Sequence, residues 1–367
     1  MYVDNFRSIT QINTQVRTLV TLTQIVKLTG TKQLPRPLLK KNLEKWSVEE
    51  ENRSSEYKKH RGKITKGGKP TTAFDHYLNF AASLGLITRH SDIVMCSRMG
   101  MLLNKITDKP KNSESQLSCS EKFFYLITLF SNDADMLLLT MDLLLQQYDN
   151  PAQERLLESY EKKLAERLLT KQKYANTQAR SVIRTKYQEI RYRWQNAKSC
   201  AKHIIPPRLE WMNDLNILEP AGKGTYYQLT EQGKYFYHSL PRLPDSALCD
   251  INENWLKTKA MAAYAPLVLP ENRTTCWAEL KVTQRAEILA PLLEESFNLF
   301  NTEGVGRMSL YPSLLLIIIN LAVSEQVTAE IQDIENELKK GIIIGRRHFS
   351  VRPAARAYES YITINRV

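Results

Sequence analysis

A chain of 367 residues with 51 Lys and Arg against 39 Asp and Glu carries a net charge of +12. At 43% apolar and 25% charged it is neither disordered nor fibrous, and 13 glycines, about half the usual share of ~7%, argue against a glycine-dependent nucleotide fold. A pI near 9.3 favours polyanionic partners.

The start, Met1-Tyr2-Val3-Asp4-Asn5, lacks the basic and apolar stretches of a secretory leader. Residues 17–28 and 38–46 carry helical apolar periods and predict two packed helices. Residues 47–70 then read as an inserted basic loop containing Gly62, Gly67 and Gly68. The stripe Phe74, Leu78, Ala81 and Leu84 predicts a third helix, followed by a hairpin with a polar tip at residues 88–92. Ser97, three residues before Gly100, then opens another apolar helix.

The same order recurs. Residues 121–130 and 135–147 predict two helices, and Leu209, Met212 and Leu215 mark a third. Ala221-Gly222-Lys223-Gly224 supplies a hairpin tip, and Thr230, three residues before Gly233, opens the next helix. Between the second and third helices, residues 151–202 form a helical insertion. Leu157, Tyr160, Leu164 and Leu168 make one stripe. Ile183, Tyr187, Ile190, Trp194, Ala197 and Ala201 make a heptad-like seam, which predicts an antiparallel helical hairpin.

Residues 241–244 read as a linker and residues 250–300 as further helices. The longest apolar run, residues 313–323, is about half of a bilayer crossing and lies in a predicted buried helix at 310–323. Val327, Ile331, Ile334 and Leu338 predict an amphipathic helix, and residues 341–351 a hairpin with Arg346 and Arg347 near its tip. Five widely spaced cysteines without Cys-x-x-Cys predict neither disulfides nor a zinc finger. The expectation is a soluble, cytoplasmic protein.

The repeated order of helices, hairpin and helix, with Leu-Thr-Glu-Gln-Gly at 229–233, resembles the winged helix-turn-helix superfamily. The resemblance implies a mainly α fold with small β-hairpin wings, in multiple winged-helix modules. One module would span 1–110 with the basic insertion 47–70. A second would span 111–245 with the helical-hairpin insertion 151–202. Residues 246–367 would hold a helical segment and a third module.

The positive charge is concentrated. Residues 58–69 and 339–356 each carry +6 with no acid, and residues 162–202 carry +10, which leaves −10 on the rest. Nucleic acid is the commonest polyanion such segments meet. The expected contacts are Lys58, Lys59, Arg61, Lys63, Lys66 and Lys69, then Thr71, Thr72 and His76 with Asn79. They continue with Arg180, Arg184, Lys186, Arg191 and Arg193 on the insertion, Lys223 at a wing tip, and Arg346 and Arg347. Two of the third helices oppose groove reading: residues 207–216 set Arg208 against Glu210 and Asp214, and 327–338 hold Glu330, Asp333, Glu335 and Glu337. Contact with the phosphates of duplex DNA fits this map better. Modules two and three are expected to meet protein partners, with self-association open.

A second reading is a scaffold or accessory subunit of a larger DNA-handling machine. It would be similar to the kleisin-type partners of SMC ATPases or to prokaryotic anti-phage (antiviral) defence subunits. Enzyme motifs are missing: neither Gly-x-x-x-x-Gly-Lys-Ser/Thr nor Gly-x-Gly-x-x-Gly occurs, and the six histidines form no ligand pair. Glu279-Leu280-Lys281 matches the Glu-x-Lys of metal-dependent nucleases, but no preceding strand supplies an Asp and residues 277–300 read as helical. No catalysis, cofactor or metal is expected.

Overall fold

Thr18 opens the first helix of the computed structural model. The structure describes residues 3–9, 12–55, 57, 62–107, 116–145, 153–193, 197–221, 226–269, 274–302, 306–352 and 360–366, and the side chains of 153–158, 193, 197–199 and 366 also fall outside the description. The Thr18 hydroxyl accepts from Val20 N, so α1 (Leu19–Thr29) starts two residues later than its apolar period, and Gly30 at φ 56° ends it. β1 (Leu34–Pro35) leads into α2 (Arg36–Arg53), whose first turn holds a proline with its preset φ.

α2 continues through residues 47–53, so the first part of the expected loop is helical. The reason is packing: buried Ser47 bonds Tyr57 at 3.1 Å and Thr65 at 2.7 Å. β2 (Thr65–Lys66) and β3 (Lys69–Pro70) then form a tight hairpin, closed by Gly67 and Gly68 at φ 57° and 76°. α3 (Ala73–Ser83) buries Phe74, Leu78 and Ala81 as its stripe predicts, and Tyr77 and Phe80 besides. β4 (Ile87–His90) and β5 (Ile93–Cys96) join β1 in a three-stranded sheet of order β1-β5-β4, and α4 (Arg98–Thr107) follows.

The two helices expected next meet in α5 (Cys119–Leu145), whose two helical segments join at a kink at Asp133, where the backbone is non-helical at φ −135°. It is long and apolar enough to cross a membrane, and 89% of its apolar window is buried inside the fold. α6 (Gln153–Tyr174) and α7 (Thr177–Arg193) pack on each other across a two-residue connection. Of the expected seam, Ile183 and Ile190 are buried on α7 and Ala201 is buried on α8 (Ala197–Asp214), while Trp194 lies outside the described residues. α8 is followed by β6 (Leu218–Ala221), β7 (Tyr226–Leu229) and α9 (Glu231–Ser239); the tip holding Lys223 is outside the description.

The internal repeat holds at the level of single hydrogen bonds. Gly85 and Asn216 leave α3 and α8 at φ 68° and 61°. Leu86 N then donates to Ala81 O, and Ile217 N to Met212 O, both at 2.9 Å. Ser97 N and Thr230 N return to Leu86 O and Ile217 O, both at 3.0 Å. The hydroxyls of Ser97 and Thr230 accept from Gly100 N and Gly233 N at 3.1 and 2.8 Å. At both glycines an added Cβ would lie 2.1 Å from the facing carbonyl oxygen of Leu86 or Ile217.

The remainder comprises α10 (Glu253–Thr258), α11 (Ala260–Val268), β8 (Thr275–Cys276), a 3-10 turn (Trp277–Glu279) and α12 (Val282–Phe300). β9 (Asn301–Thr302), β10 (Arg307–Ser309), α13 (Leu310–Ser324), β11 (Val327–Thr328) and α14 (Ile331–Lys340) follow. β12 (Ile342–Ile344) and β13 (Arg347–Arg352) form the expected hairpin. It is the edge of a five-stranded sheet of order β12-β13-β14-β10-β9, completed by β14 (Tyr361–Arg366). Val327, read as part of a helix stripe, instead pairs in parallel with Thr275.

Candidate nucleic-acid interface

Charge in the sequence and charge on the surface differ, because several cations are consumed inside. The kink in α5 presents Asp133 and Asp135 to the interior. Arg208 of α8 binds Asp133 through two nitrogens at 2.7 Å, and Arg167 and Lys171 of α6 bind Asp135 at 3.0 and 2.7 Å. The N-terminal segment crosses the same point: Ile9 N and Arg7 N donate to these two carboxylates at 2.8 Å. Lys171 also reaches Asp250 at 2.6 Å. Burial alone would raise the Asp135 carboxyl, yet Lys171 and Arg167 hold it below its ordinary value. Asp133, buried beside the single cation Arg208, is raised. Arg167 and Lys171 therefore subtract from the +10 segment.

Other expected contacts are also engaged with neighbouring residues of the fold. Lys63 is bound by Glu51 at 2.6 Å and is half-buried, because the Ser47 contacts draw its segment onto α2. The Thr71 hydroxyl donates to Lys63 O at 2.7 Å and accepts from Ala73 N, so it holds the hairpin against α3. Lys186 pairs with Glu189 at 2.9 Å, one turn away, with its side chain 12% exposed. Arg347 pairs with Glu294 and lies over the Phe297 ring at 4.9 Å, on the helix-facing side of its strand. Lys58, Lys59, Arg61 and the Arg193 side chain lie outside the described residues, as does Lys223.

Two exposed groups remain. In the first, Lys66 and Lys69 face one another on the β2–β3 hairpin, whose tip has open space around it. Thr72 is exposed and donates to Gln15 Oε1 at 3.0 Å, and His76 is half-buried. α3 shows solvent the row Asp75, Asn79 and Ser83. Arg36 binds Asp75 at 2.6 Å while its backbone N–H donates to Asp92 O at 2.7 Å. The start of α2, the tip of the β4–β5 hairpin and α3 thus converge on one residue. Arg89 bonds Asn79 at 2.6 Å, and Lys40 is exposed one turn beyond Arg36. Sequence reasoning missed Arg36, Lys40 and Arg89 because they lie outside the three basic runs.

The second group is α7, where Arg180, Arg184 and Arg191 are exposed. Arg346 is also exposed, at the turn of the β12–β13 hairpin.

The other two third helices are occupied. No residue of α8 from 204 to 214 is exposed. Trp211 stacks on Phe80 of α3 at 4.5 Å, and its indole N–H donates to Val16 O at 3.0 Å. Glu330, expected to repel phosphate, is buried and accepts from Met261 N and Ala262 N, capping α11. Glu337 binds Arg285 and Lys340, and Glu335 binds Lys339. Glu279 accepts from Cys276 N at 3.3 Å as the cap of the 3-10 turn, not within a continuous helix. Among the described residues no group of three His, Cys, Asp or Glu is placed to hold a metal ion.

No family model matches the chain, and no curated protein matches it. Among solved structures, it is similar to that of the restriction endonuclease FokI, at 12% identity and a TM-score of 0.33. The match covers 100% of this chain and 62% of that one, so the chain spans less than two thirds of that protein's length.

Proposed function

We propose that the chain is a non-catalytic nucleic-acid-binding protein built on winged-helix modules, and that it holds duplex DNA mainly by its phosphates. One observation carries this reading. Of the three third helices, α3 presents an open polar row, and that row is bounded by Arg36, Lys40, Arg89 and the Lys66–Lys69 hairpin. Cations around a polar helix face supply backbone positioning at the rim and hydrogen-bonding groups at the centre. Tyr77 fixes the position of that helix, its hydroxyl accepting from Arg17 N and Thr18 N at 2.9 and 3.0 Å.

Anisotropy titration of a labelled duplex over a salt series tests this. Each neutralised phosphate adds about 0.9 to the salt slope, so Lys66→Glu with Lys69→Glu is expected to lower the slope by about 2. An unchanged slope, or no duplex binding at about 50 mM salt, overturns the proposal. The scaffold reading draws on the covered α8 and on Ile343, 64% exposed on the edge strand β12. Absence of duplex binding would leave that reading standing.

A further inference from the structure

The exposed face of α7 carries two parallel rows of different chemistry. At 100° per residue, Arg180, Arg184 and Arg191 fall within about 40° of one another and span about 16 Å along the axis. Beside them run Ser181, Gln188 and Tyr192, all exposed, with Tyr192 at 82% the most exposed large apolar side chain among the described residues. The helix's one acid, Glu189, lies on the far side and is tied to Lys186. Ala179, Ile183 and Ile190 are buried, which fixes the rotation of α7 and keeps both rows facing solvent. Arg180 is further steadied by its bond to Ala175 O at 3.1 Å.

We infer that this face binds a single strand of nucleic acid, with phosphates on the arginine row and bases on the Gln188–Tyr192 row. A duplex keeps its base faces stacked inside, so an exposed phenol ring meets only phosphates or groove edges. A single strand offers base faces beside its phosphates, the arrangement that adjacent cationic and aromatic rows match. Stacking on an aromatic ring contributes about 1–3 kcal/mol per base. This goes beyond the duplex reading, which stands on α3 and its rim.

The test uses the full chain with labelled oligothymidylate and oligouridylate of about 16 nucleotides, and a labelled duplex, in parallel anisotropy titrations. Tyr192→Ala is expected to weaken single-strand binding about tenfold, the equivalent of ~1.4 kcal/mol, and to leave the duplex Kd unchanged. Tyr192→Phe retains the ring and is expected to bind like the parent. Arg184→Glu is expected to weaken single-strand binding and flatten its salt slope. Lys66→Glu with Lys69→Glu, which removes two of the proposed duplex contacts, should leave single-strand binding intact, so the two proposals can fail separately. The ratio of the two oligonucleotide affinities tells DNA from RNA, and binding of either supports the site. No single-strand binding at about 50 mM salt, an unaffected Tyr192→Ala, or an equal loss on the duplex overturns it. So does binding of polyglutamate in place of either oligonucleotide, which would mark the face as a protein-docking surface.

Discussion

Asp214 ends α8, and its carboxylate accepts the backbone N–H of Leu19, the first residue of α1, at 2.9 Å. Burial pushes its carboxyl up to about 7. An unfolded aspartate titrates near ~3.9, so the folded state binds this proton more tightly. Its contribution to stability is complete below about pH 4 and is lost as pH rises through about 7. Asp214→Asn keeps an oxygen to accept from Leu19 and removes the titration. Thermal melts between those limits should show the parent losing stability relative to the variant as pH rises, and parallel curves would contradict this. Asp133 and Asp135, two residues apart, show the same physics with opposite results, because one faces a single cation and the other two.

At the scale of elements, the repeated joint between helix, hairpin and following helix explains the two glycines that lack a positive φ among the described residues. Gly100 and Gly233 sit where a helix start passes within contact of a carbonyl, and that carbonyl is held by the hydrogen bond closing the joint. Gly233→Ala or Gly100→Ala should each cost about 1–3 kcal/mol, as expected of overpacking against backbone, measured by urea unfolding. A neutral result would show that the joint relaxes. The joint was legible in the sequence because its Ser or Thr, its Gly and its hairpin spacing are all local. The kink in α5 falls at Asp133, between the two helices the sequence predicts, but the groups that hold it, Arg208 and Ile9, are remote in sequence and were not legible.

Across the whole molecule, α3 meets α8 through an aromatic pair. Phe80 and Trp211 lie nearly parallel, 11° apart, and both are buried. Phe80→Ala and Trp211→Ala should each cost about 3–5 kcal/mol. The double variant should be less destabilised than their sum by about 0.5–3 kcal/mol, read from a double-mutant cycle in urea. Strict additivity would mean that the rings contribute separately to two cores. α8 is covered chiefly by α6 and α5, whereas the polar row of α3 stays exposed.

The sequence by itself determined the mainly helical character, the two-fold repeat, the hairpins and the inward stripes, because these follow from local periodicity and turn chemistry. It also located the net charge along the chain. Only the tertiary structure decided which of those charges reach solvent. A lysine or arginine in a basic run looks alike whether it meets water or a distant carboxylate. Arg167, Lys171 and Arg208 are buried against aspartates across the fold, whereas Arg36, paired with Asp75 at the surface, and Arg89, both isolated in sequence, are brought by chain packing to the exposed rim of α3.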